Sequence, residues 1–330
     1  MGSEDVLSRV KRSGRVSAED VLEARRAVYG SDGRIDPGEI EALFRIDEAA
    51  DDSDPAWPAL LTEAGVDYLV HQVAPRGYID AANADWLMAR IDRDGAVKTA
   101  TELELLVKVL EASRSSPPEL VRYALRQIQR AVVHGDGPLA AGGRPEPGRV
   151  NREEADLLRR ILYAFGGDDG IAVTRAEAEV LFDINDAVAG ADNDPAWTDL
   201  FVKAVTNCIM AASGYVVPTR EVALHREEWL DAPATGVGGF FARMASGGLH
   251  GVLAAYRAPA DEDEWAAGNA RVDAAIADAE AVTDGEAAWL ADRIGRDGHL
   301  HEAEKALLRF IANEGREIHP VLAPLMAKAA

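Results

Sequence analysis

The sequence predicts an all-α protein made of two duplicated helical domains, and three observations carry that reading. Apolar residues recur at helical spacing through most of the chain, long β-branched alternation is missing, and one set of motifs occurs twice in the same order. Gly14-Arg15-Val16 is answered by Gly148-Arg149-Val150, and Leu43-Phe44-Arg45-Ile46-Asp47 by Leu181-Phe182-Asp183-Ile184-Asn185. Asp54-Pro55-Ala56-Trp57 is answered by Asp194-Pro195-Ala196-Trp197, and Arg76-Gly77-Tyr78 by Ser213-Gly214-Tyr215. Trp86-Leu87 and Asp94-Gly95 then reappear, at the same separation, as Trp289-Leu290 and Asp297-Gly298. The expected organisation is an N-terminal tail at 1–13, a first repeat domain at 14–134, a Gly/Pro linker at 135–147 and a second repeat domain at 148–330. The second domain carries about 65 extra residues, an insertion at roughly 217–281.

In chain order, the first expected helix covers 18–29, with Val21, Leu22, Ala24 and Val28 on one side, Ser17 as N-cap and Asp20 in the first turn, where the helix dipole favours an acid. The next, at 37–50, starts with proline and repeats apolar residues at Ile40, Leu43, Phe44 and Ile46. Helices at 55–73, 81–91, 99–113 and 119–133 follow, the last after Pro117-Pro118, which cannot continue a helix. The second half repeats the set at 152–165, 175–189, 195–212, 285–294, 302–313 and about 320–328. Asp54 and Asp194 precede proline and are expected to cap the helices that carry Trp57 and Trp197, whose indoles are expected to pack in the core.

Charge narrows the partners. The 57 acidic residues outnumber the 35 basic ones, for a formal charge of −22, and the excess is greater after Val133 than before it. Such a chain repels phosphate backbones, so nucleic acid is not expected as a partner, whereas cations or a protein with a basic surface are. The single cysteine, Cys208, rules out a disulfide scaffold and a CxxC redox pair and fits a reducing compartment. The first thirteen residues lack the apolar core of a secretory signal, which points to the cytoplasm, and no segment reads as a transmembrane span.

The helix-to-helix turns share an Asp-Gly pattern: Asp32-Gly33 with Ile35, Asp36 and Glu39; Asp92, Asp94 and Gly95 with Val97; Asp168, Asp169 and Gly170 with Val173 and Glu177; Asp297-Gly298 with Leu300 and Glu304. Glycine permits the sharp backbone, the apolar residue returns to the core, and a polar residue after it can cap the next helix; Asp36, Asp80, Thr174 and His301 stand at that place. These carboxylates have two possible roles, capping a helix or ligating a divalent cation such as calcium.

The pattern resembles two families. One is the EF-hand, whose calcium loop has oxygen ligands at positions 1, 3, 5, 9 and 12 and glycine at 6. With Gly33 sixth, Asp32, Asp36 and Glu39 match 5, 9 and 12 while Val28 and Gly30 occupy 1 and 3; with Gly95 sixth, Asp92 and Asp94 match but Arg90 comes first and Lys98 ninth. The turns therefore resemble degenerate EF-hand loops. The closer resemblance is to the tellurite-resistance TerB and DjlA-like helical module, which asks only for Asp-Gly, an apolar residue and a glutamate on the next helix, as in Asp32 with Glu39 and Asp297 with Glu304. That resemblance covers helix pairs, and it implies an acidic, metal-binding or assembly-forming module.

The insertion offers another site. Its glycine-rich apolar run at 236–256 includes Phe240, Phe241, Met244, Leu249 and Leu253, which would either cover the second domain's own core or dock on a partner chain. No P-loop, GxSxG elbow or HExxH zinc motif occurs, so the expectation is a non-enzymatic binding or regulatory protein. Divalent-cation binding at the turns and metal-independent interaction through the insertion are its two forms.

Overall fold

The computed structural model describes residues 3–30, 33–93, 95–137, 147–164, 172–212, 283–314 and 319–329. Among these the protein is all-α, and the chain divides into two compact units, Met1–Pro147 and Gly148–Ala330.

The first unit contains helices α1 (Ser3–Ser13), α2 (Ala18–Tyr29), α3 (Pro37–Ala49), α4 (Ala56–Val66), α5 (Ala81–Ile91), α6 (Ala100–Ala112) and α7 (Pro118–His134). Where an N-terminal tail is expected, residues 3–13 thus form a helix. Val6, Leu7 and Val10 are 0–1% exposed, and α1 packs against α2 and α3. Three apolar side chains at i, i+1 and i+4 make a sufficient stripe in an otherwise charged run, and Glu4 and Arg12 at opposite ends suit the dipole. Arg9 ties α1 to α2 through Asp20 and Glu23, and Arg45 of α3 reaches Glu4.

Where a single helix is expected over 55–73, α4 gives way to a π-helical segment, Asp67–Gln72. Gly65 lets α4 approach α6 closely, because a Cβ there would come within 2.5 Å of Leu105 Cδ1.

The second unit contains α8 (Arg152–Leu162), α9 (Arg175–Ala187), α10 (Pro195–Ala212), α11 (Asp284–Arg293), α12 (Glu302–Glu314) and α13 (Ala323–Ala329). Helix α10 packs against α8 and α12, and α12 against α13. Trp57, Trp197, Phe182 and Phe201 are 0–1% exposed, each side chain contributing about 1.5–3 kcal/mol by leaving water. Among the described residues, extended structure is confined to short pairings, parallel between Arg15–Val16 and Asp52–Ser53 and antiparallel between Asp92–Arg93 and Ala96–Val97. No helix of the described residues is long and apolar enough to cross a membrane.

Candidate functional site

The entry to α3 is built by backbone donors that need acceptors. Asp36 Oδ1 accepts from the N–H groups of Gly38 (2.7 Å) and Glu39 (2.8 Å), and Glu39 Oε2 accepts from the Asp36 N–H at 2.8 Å. Two predicted cation ligands are thus the two halves of a capping box. One residue earlier, the Ile35 N–H donates to Gln72 Oε1 at 2.8 Å, so an amide from the π-helical segment clasps the strand-like entry to the helix.

The same clasp recurs. The Val97 N–H donates to Gln127 Oε1 (3.0 Å) and the Val173 N–H to Asn207 Oδ1 (2.6 Å), with Gln127 and Asn207 both buried. Thr99 and Glu102 form the box that follows Val97, and Thr174 and Glu177 the box that follows Val173. Asp92 Oδ1 accepts from the Gly95 N–H at 2.7 Å, while Arg130 Nη1 donates to the Gly95 carbonyl at 3.1 Å. A positive φ of 81° at Gly95 makes this tight return possible without a Cβ penalty. Asp80 caps α5 through the Asn83 N–H, and Asp54 and Asp194 accept from the N–H groups of Ala56 and Ala196, as expected of residues before proline.

The turn before α12 brings two predicted ligands together. Glu304, 1% exposed, accepts from the Gly295 N–H (2.9 Å) with one oxygen and from the His301 N–H (2.8 Å) with the other. Asp297 accepts from the His299 N–H at 2.9 Å and lies 2.7 Å from His301 Nε2; these contacts, the backbone bond first, hold its carboxyl below the usual range. The His301 side chain is therefore directed at Asp297. Asp36 with Glu39 and Asp297 with Glu304 are the predicted ligands that share a turn, while Asp92 and Glu177 each serve a separate one. Among the described residues, no group of three His, Cys, Asp or Glu side chains forms a cation-holding set. Asp32, Asp94, Asp168 and Asp169 lie outside the described residues, as do Phe240, Phe241, Met244, Leu249 and Leu253 of the insertion.

Sequence reasoning missed a cluster beside that last turn. The Arg293 guanidinium, 3% exposed, donates to Asp183 at 2.9 Å and sits 3.3 Å from Glu179 and 3.7 Å from Asp186. Phe182 and Trp289 meet edge to face at 5.7 Å, Arg293 lies over Phe182 and Arg175 over Trp289, and the indole N–H donates to Glu179 at 2.6 Å. Burial, then the charges of Glu304, Asp297 and Asp183, push the Asp186 carboxyl up against the pull of Arg293. The first unit has a smaller counterpart, in which Arg90 pairs with Glu41 at 2.7 Å and covers Trp86, itself edge to face with Phe44. A signal was present: Glu41 and Glu179 each stand two residues before the shared Leu-Phe, and Arg90 and Arg293 each four after the shared tryptophan.

Cys208 lies buried on α10, where desolvation, and then Glu177 and Glu286, push its thiol up to about 12; such a thiol is a poor nucleophile. No family model matches the chain, nor does any curated protein or solved structure.

Proposed function

We propose that this protein is a non-enzymatic binding or regulatory module that presents an acidic surface to a protein partner with a basic face, and that its Asp-Gly turns act as metal-independent clasps. One observation carries the reading: among the described residues the turn carboxylates Asp36, Glu39, Asp92, Glu177 and Glu304 accept from backbone N–H groups, a set of arginines is ion-paired within its own unit, and further acids remain on the surface. Arg9, Arg25, Arg45, Arg90, Arg159 and Arg293 are all ion-paired. Glu19 and Asp85 in the first unit and Glu153, Asp192 and Asp292 in the second stand exposed. With a formal charge of −22, such a surface attracts cationic partners at a distance.

The test is titration of the full chain with a fluorescent oligolysine peptide at low and high salt, with oligoglutamate as control. Binding that weakens steeply with salt supports the reading. Absence of binding at low salt, or equal binding of both peptides, overturns it.

A second reading, divalent-cation binding at the Asp-Gly turns, rests on the acidic pattern of the sequence, in which Asp36 with Glu39 and Asp297 with Glu304 share a turn. Thermal unfolding of chelator-treated protein with millimolar calcium, and with magnesium as control, separates the two, because an ion bound only to the fold raises its stability. The clasp reading expects no shift, and an equal loss in Asp36→Ala with or without ion. A calcium-specific rise abolished in Asp297→Asn supports the cation reading instead.

A further inference from the structure

We draw no further inference here: the strongest candidate, the acidic cluster of Asp183, Asp186, Asp297 and Glu304 around the buried Arg293 between α9 and α12, belongs to the site already described, and nothing else in the structure points to a ligand for it.

Discussion

The Arg293 guanidinium donates to the Asp183 carboxylate at 2.9 Å across 110 residues of sequence, so the end of α11 is pinned to the middle of α9 by a charge that has almost no access to water. Asp183 is half exposed, whereas Arg293 depends on its three carboxylates and on the Phe182 ring for its environment. Arg293→Ala should therefore lower stability by about 2–3 kcal/mol, less than for a fully buried pair because the acids keep part of their solvent. Arg293→Lys should recover only part of that, since an ammonium cannot serve three carboxylates as a planar fork does. Urea unfolding checks both; an unchanged midpoint in Arg293→Ala would remove the cluster from any structural role.

The amide clasps should be separable from the caps. Asn207→Leu removes the acceptor of the Val173 N–H and leaves a buried donor unpaired, at a cost of about 1–3 kcal/mol. Hydrogen exchange at the Val173 amide should accelerate more than at amides within α9. Uniform acceleration along both would mean that Asn207 merely packs.

Close approach of α4 and α6 depends on a missing methyl. Gly65→Ala gains helix propensity, up to about 1 kcal/mol, but its Cβ would meet the fully buried Leu105, and overpacking of this kind costs about 1–3 kcal/mol. Net destabilisation is expected by thermal unfolding. A smaller loss from Gly65→Ala in a Leu105→Ala background than in the unaltered chain would locate the clash, and a more stable single variant would contradict the proposed contact.

Two aspartates should respond to pH in opposite directions. Asp186 is held above its ordinary value by burial and its acidic neighbours, so its contribution favours the fold at low pH and is lost as pH rises through that raised value. Asp186→Asn should thus stabilise the protein at neutral pH, with the gain vanishing below about pH 4, the ordinary carboxylate range. For Asp20, burial pushes upward but the Ser17 hydrogen bonds and Arg9 outweigh it and hold the carboxyl low. Its contribution is present at neutral pH and lost as pH falls through the lowered value, so Asp20→Asn should destabilise at pH 7 and matter less in acid. Unfolding midpoints across pH for both variants decide this, and parallel profiles would contradict the assignment.

Most helices were legible because their apolar period and their caps agree. Ser17 with Asp20, Asp36 with Glu39, and Thr174 with Glu177 are local signals that local geometry fulfils. Helix α1 escaped because its apolar stripe is only three residues wide and derives its stability from α2 and α3, a tertiary effect that periodicity does not weigh. The π-helical segment escaped because a widened turn has no residue signature of its own. As for the site, the Asp-Gly turns and the capping places of Asp36, Asp80 and Thr174 are legible locally, whereas the amide acceptors Gln72, Gln127 and Asn207 come from helices 30 or more residues away and leave no local sign. The Arg293 cluster requires α9 and α11 to meet across more than a hundred residues, a pairing that no local reading contains.

The π-helical segment has one more consequence. Residues added inside a helix usually rotate everything downstream and send the wrong side chains to the neighbours. Here Gln72, at the end of the widened turn, still reaches the Ile35 N–H, while Asp67 at its start meets the Tyr29 hydroxyl at 3.0 Å. The segment is thus fastened at both ends, to Tyr29 of α2 and to the entry of α3, and its widened turn sets the angle between the two fastenings.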